Sequence, residues 1–145
     1  GNVVTLGGKP DGSPWVVGIM SPRKEEDSEQ HLGAIMVKDK AVVTAGDGER
    51  YFIQDGVRYH HILDPDTGYP AKSDLMSVTL VTDSSFVADA LDTAVFILGL
   101  EKGRKLIEDY GGVEAIFVTT DKKIYVTEGL KDNFTLIDKS YRLME

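Results

Sequence analysis

A single stretch of helical periodicity, from about Ser85 to Leu98, stands in a chain otherwise built of short β-branched and aromatic runs. Val87, Leu91, Ala94 or Val95, and Leu98 recur at helical spacing, while Phe86, Ala90, Phe96 and Ile97 carry apolar surface onto the other faces. The helix is therefore expected to be largely buried, capped by Asp83 or Ser84 and ended by Gly99. A second helix is expected from Glu101 to Tyr110, stopped at Gly111-Gly112. Around them the runs Val3–Leu6, Trp15–Ile19, Ala34–Val37, Ala41–Thr44, Tyr51–Gln54, Arg58–Ile62, Ser77–Val81, Ala115–Thr119, Lys123–Val126 and Phe134–Ile137 read as strands. Asp55-Gly56 between two of them suits a hairpin turn with positive φ, and a meander is the natural reading of the first half. The fold class that follows is α+β: a mixed, mainly antiparallel sheet with one buried helix and one further helix packed on it.

With 145 residues, 41% of them apolar, the chain suffices for a single domain (1–145) with a core of ordinary size. Its formal charge of −8, from 16 basic and 24 acidic residues, repels phosphate backbones, so no nucleic-acid partner is expected. Cysteine is absent, which excludes disulfides, thiolate metal sites and a cysteine nucleophile. The longest uninterrupted apolar stretch, Ala94 to Leu98, falls far short of the roughly 20 residues a membrane-spanning helix needs. Gly1-Asn2-Val3-Val4 enters a strand-like pattern without an initiator Met or a leader, and is read as the start of a truncated product. The charged run Arg23–Glu29 reads as a solvated loop.

Three clusters of residues point to chemistry. In Ala88-Asp89-Ala90-Leu91-Asp92-Thr93-Ala94 two carboxylates and a hydroxyl interrupt an apolar helix, and a buried unpaired carboxylate is costly. Asp89 and Thr93, four apart, lie on one helical face, whereas Asp92 is expected to point elsewhere. Two hard oxygens on one face suit Mg²⁺; the alternative is a local cap by Asp89 and a bond from Thr93 to the preceding turn. In Tyr59-His60-His61-Ile62-Leu63-Asp64-Pro65-Asp66-Thr67-Gly68 the two histidines alternate faces of a strand, so one is exposed. A histidine beside the rigid Asp64–Thr67 turn is either a general base or a structural residue. In Thr44-Ala45-Gly46-Asp47-Gly48 the glycines suit an anion nest or a hairpin turn equally. No Walker, dinucleotide, zinc-protease or EF-hand motif occurs.

Taken in order, these stretches resemble the FAD:protein FMN transferases of the ApbE family. His61-Ile62-Leu63-Asp64-Pro65 followed by Thr67-Gly68-Tyr69-Pro70 is similar to the family's H-I-[IL]-D-P-x-T-G-x-P block. Ala88-Asp89-Ala90-Leu91-Asp92-Thr93-Ala94 is similar to its A-D-A-L-x-T-A block, and Thr44-Ala45-Gly46-Asp47 to its T-S-G-D turn. Gly1-Asn2-Val3 and Trp15–Ile19 match the strand pair that precedes them, so the likeness covers nearly the whole chain.

The resemblance implies an ApbE-like, T-fold-related architecture and a magnesium-dependent transfer of FMN from FAD to a Thr or Ser hydroxyl, with AMP leaving. It implies Asp89 and Thr93 as Mg²⁺ ligands, His61 as the general base, and Thr44, Gly46 and His61 near the flavin nucleotide. The implied partners are FAD and target subunits of membrane redox complexes, and the implied location is extracytoplasmic, periplasmic or on a lipoprotein anchor. The chain is then the carboxyl-terminal part of the enzyme, lacking an amino-terminal segment that contributes to the flavin site. A strand edge left exposed by that division is expected to favour self-association. Ala45 and Gly48 depart from the family's usual Ser and Tyr, which alters local nucleotide contacts. The alternatives are an FAD pyrophosphatase yielding FMN and AMP, and a flavin-binding module without catalysis.

Overall fold

The computed structural model describes residues 1–23 and 30–144. Most of the run Arg23–Glu29 thus lies outside the described residues. Within them, the first half supplies β1 (Asn2–Val4), β2 (Trp15–Met20), β3 (His31–Val37), β4 (Ala41–Gly46), β5 (Tyr51–Gln54) and β6 (Val57–His60). The second half supplies β7 (Leu75–Thr82), the helical segment α1 (Ser85–Tyr110), β8 (Glu114–Thr119), β9 (Lys123–Val126), β10 (Phe134–Leu136) and β11 (Arg142–Leu143). Every expected strand is present within a few residues of its expected bounds, and the class is α+β.

The strands pair less locally than a meander. One sheet runs β1-β4-β7-β8-β9-β11, and the hairpin β2–β3 leaves it to form a second sheet, β10-β3-β2. Pairing is antiparallel except between β9 and β11. The reason is burial: β4 carries Val42 to one face and Val43 to the other, and both are covered. A strand apolar on both faces belongs in the middle of a sheet, so β4 takes β1 and β7 as neighbours rather than its sequence neighbours.

Three layers result. Ile19, Leu32 and Ile35 of the smaller sheet pack on Val42, Ile116, Val118 and Ile124 of the larger one. On the opposite face Val43, Val78, Leu80, Ala115 and Phe117 pack against Ala88, Val95, Phe96 and Ile107 of α1. All eight residues of β7 are buried because both of its faces are covered. The helix is buried along one stripe, not all round: Ala88, Asp92, Val95 and Phe96 face inward, while Phe86 is 82% exposed.

The two expected helices are the two arms of α1. They meet at Gly99, whose φ of 78° breaks the helical path. A side chain there would be strained by that φ and would collide with Asp74, whose Oδ1 lies 2.5 Å from the position of a Cβ. The same Oδ1 accepts from Leu100 N–H at 3.0 Å and so restarts the helix after the break. Among the described residues no helix is long and apolar enough to cross a membrane.

Candidate functional site

Helix α1 begins where Ser84 accepts from Val87 N–H, and this start fixes which side chains the first three turns present. Asp89, Asp92 and Thr93 all line one cavity of about 610 Å³. The opposite walls come from Gly1–Val3, from β2, from Thr44–Gly46 at the end of β4, and from His61 just beyond β6. Every site residue expected from the sequence is therefore gathered around the same space. Burial reaches them unequally: Asp89, Thr93 and His61 are exposed, Thr44 and Gly46 partly so.

Asp92 differs from expectation, since it points into the cavity and is the buried acid, with 7% of its surface exposed. Residues 89, 92 and 93 span only about 100° of a helix, an arc that a wide cavity can face entirely. The signal overlooked in the sequence is that i, i+3, i+4 spacing. Burial pushes the Asp92 carboxyl above the usual carboxylate range; the Thr93 hydroxyl and N–H oppose this, and the charge of Asp89 adds to it.

The oxygens are held in an ordered way. Asn2 Nδ2 donates to Asp89 Oδ1 at 2.9 Å, and Thr93 Oγ1 donates to Asp92 Oδ1 at 3.0 Å. With its proton committed, Thr93 Oγ1 offers lone pairs only. Two carboxylates and a hydroxyl are hard donors that fit Mg²⁺, which takes few protein ligands and completes its shell with water or phosphate. Among the described residues no three His, Asp or Glu side chains gather into a fuller cage.

The histidines divide as strand alternation requires. His60 is buried, its Nε2 lies 3.2 Å from the Ala71 carbonyl oxygen, and its ring meets Phe96 edge-on at 5.7 Å. His61 is exposed on the cavity wall, its N–H donating to the Arg50 carbonyl at 3.0 Å. Beyond it the chain reverses in a turn closed by Gly68 N–H on Asp64 O and Asp64 N–H on Tyr69 O, each 2.8 Å. The Asp64 carboxylate accepts from Asp66 N–H at 2.8 Å and stiffens that turn. Thr44 Oγ1 lies 2.8 Å from Thr79 Oγ1 across the β4–β7 pair, so its hydroxyl faces the cavity already engaged.

Residues 1–117 match the ApbE family. The chain belongs to the ApbE family. It is 42% identical over 129 residues to the FAD:protein FMN transferase of Treponema pallidum (strain Nichols), an overlap covering 89% of this chain and 35% of that protein. With the FAD:protein FMN transferase of Klebsiella pneumoniae (strain 342) it shares 37% identity over 145 residues, 100% of this chain and 43% of that one. The crystal structure of the ApbE protein from Thermotoga maritima superposes with a TM-score of 0.77 at 41% identity, covering 89% of this chain and 41% of that chain. The Pseudomonas stutzeri flavinyl transferase ApbE, in its apo form, superposes with a TM-score of 0.62 at 37% identity, covering 95% of this chain and 38% of that chain. This ApbE-family chain thus spans well under half the length of these relatives.

Proposed function

We propose that this chain forms the metal- and acceptor-handling part of an FAD:protein FMN transferase, an enzyme that moves FMN from FAD to a Thr or Ser hydroxyl of a target protein and releases AMP. The observation that carries the reading is the convergence of His61, Asp89, Asp92, Thr93, Thr44 and Gly46 on one cavity. In this reading the chain is the carboxyl-terminal part of the enzyme, and further polypeptide completes the flavin site. The family resemblance adds, as part of the same proposal, a recipient among the subunits of membrane redox complexes and an extracytoplasmic location.

The chemistry follows from the residues. Asp89 and Thr93 would hold Mg²⁺, with Asp92 accepting the Thr93 proton and so leaving the Oγ1 lone pairs available. When bound, Mg²⁺ neutralises the negative charge that builds on the diphosphate oxygens, an effect worth several kcal/mol. His61 takes the proton of the acceptor hydroxyl, a contribution of roughly 10² to 10⁴ in rate. The acceptor oxygen forms its bond to the FMN phosphorus as the bond from that phosphorus to the AMP oxygen breaks. Thr44 and Gly46 line the nucleotide side of the cavity.

The test is to incubate the intact protein with FAD, Mg²⁺ and a candidate acceptor. AMP should appear in step with an acceptor that carries flavin through denaturing electrophoresis, and a chelator should stop both. Free FMN with no labelled acceptor would replace this reading by FAD hydrolysis. Self-association through β1, which among the described residues pairs along one edge only, belongs to the same proposal. Light scattering that reports a monomeric mass at high concentration would remove it.

A further inference from the structure

The turn after β4 forms one wall of the cavity, and an ion pair behind that wall holds it. Arg23, at the exit of β2, donates from Nη1 to Asp47 Oδ1 at 2.5 Å and from Nη2 to Asp47 Oδ2 at 2.8 Å. Its Nη1 also donates to the Pro22 carbonyl at 2.9 Å. The backbone of Asp47 is tied as well: its N–H donates to Met76 O at 3.1 Å, and its carbonyl accepts from Arg58 Nη1 at 3.3 Å. One buried acid therefore joins the ends of β2 and β4 to β6 and β7. A two-pronged guanidinium–carboxylate pair fixes orientation as well as distance, which a single hydrogen bond does not.

What the pair fixes is a close approach of backbones. A Cβ on Gly48 would stand 2.6 Å from the Pro22 carbonyl oxygen, and one on Gly46 would stand 2.8 Å from that of Met76. Only glycine lets the turn sit so near both neighbours. Pro22, Gly46, Gly48, Glu49 and Arg50 line the cavity, whereas Arg23 and Asp47 do not. The ion pair acts on the cavity only through the turn it holds.

We propose that Arg23 and Asp47 are positioning residues for the dinucleotide: by clamping the Gly46–Arg50 turn to Pro22 they set the shape of the wall against which FAD binds. The inference rests on the cavity being a flavin-dinucleotide site. Losing the clamp loosens the wall and weakens FAD binding, while Asp89 and Thr93 keep their places on α1 and His61 is still carried by β6 and by the Asp64–Tyr69 turn beside it.

The experiment uses the intact protein with Arg23→Gln, Asp47→Asn, the double variant and Arg23→Lys, measuring FAD affinity by flavin fluorescence and FMN transfer at steady state. The two single variants should raise the Kd and KM for FAD on the order of tenfold while kcat stays within about twofold, the mark of lost orientation in binding. The double variant should be no worse than the weaker single one, because the two groups act as a unit. Arg23→Lys should recover part of the affinity, since it keeps the charge without the fork. If a single variant fails to fold with its buried partner unpaired, the double variant, which leaves no unpaired charge, carries the test. Unchanged FAD affinity in the variants, with only a lower melting temperature, would overturn the proposal, as would a fall in kcat at constant KM. Wild-type protein that binds FAD without releasing AMP would defeat the transferase reading alone, and the FAD titration would still decide the clamp.

Discussion

Thr93 Oγ1 lies 3.0 Å from Asp92 Oδ1 and donates to it, so the hydroxyl of an exposed residue is oriented by the buried acid beside it. The cost of that arrangement falls on Asp92. Its carboxyl is pushed above the ordinary value of 3.8 chiefly by burial. The native state therefore takes up a proton that the unfolded chain has already lost, and this favourable contribution is complete below about pH 3.8 and disappears as pH rises through the raised value. In chelator, Asp92→Asn should melt above wild type at neutral pH, and the difference should vanish below about pH 3.8. A lower melting temperature at neutral pH would mean that the hydrogen bonds outweigh the burial.

In the proposed site, Mg²⁺ beside Asp92 should reverse the sign of that effect in the wild-type protein, because a nearby cation favours the ionised carboxyl. At a Mg²⁺ concentration a hundredfold above its dissociation constant the gain is about 2.7 kcal/mol by mass action. Asp89→Ala should lose this gain and its turnover. In chelator it should differ from wild type by only about 0.5 kcal/mol, as an exposed side chain with one hydrogen bond to Asn2. Calorimetry with and without Mg²⁺ measures both quantities. Full turnover in Asp89→Ala would remove Asp89 from the proposed metal site.

Adjacent histidines should behave as opposites. His60→Ala empties a buried site packed against Phe96 and frees the Ala71 carbonyl, and should cost about 2 kcal/mol or more of stability. His61→Ala removes an exposed ring, and should leave stability within about 0.5 kcal/mol while slowing transfer by roughly 10² to 10⁴. Denaturant melts and transfer assays on the same two variants separate the roles. Equal losses of stability would contradict the division.

At the helix break, Gly99→Ala should destabilise by about 1 to 3 kcal/mol, because it combines a left-handed backbone with a clash at Asp74. Asp74→Ala in the same background should relieve the clash but lose the bond to Leu100 N–H, so the pair should be non-additive. A double-mutant cycle on chemical denaturation gives the coupling. An additive result would show that the two residues do not press on each other.

Local signals in the sequence were enough for the elements and for most of the site. Asp55-Gly56 suits a turn with positive φ, and the two residues have φ of 51° and 76°. The alternation of His60 and His61, the break at Gly99 and the shared face of Asp89 and Thr93 are all consequences of strand and helix periods. Pairing partners were not legible in the same way. β1 joins β4, and β4 joins β7, because of which faces are covered, and that is decided by residues far apart in sequence. Arg23 opens a charge run whose composition suits a solvated loop, yet it is paired with Asp47. Nothing local announces a partner 24 positions away. The expected direction of Asp92 failed for a simpler reason: a helix period gives angles, not the width of the cavity it faces.

The strand β7 is hydrogen-bonded along both edges and covered on both faces. Its amides should exchange with deuterium only when the whole molecule opens, because neither hydrophobic layer can come apart without exposing the same strand. Met76 and Ser77 belong to that strand and also line the cavity. The floor on which the dinucleotide would rest is thus among the last parts of the protein to melt.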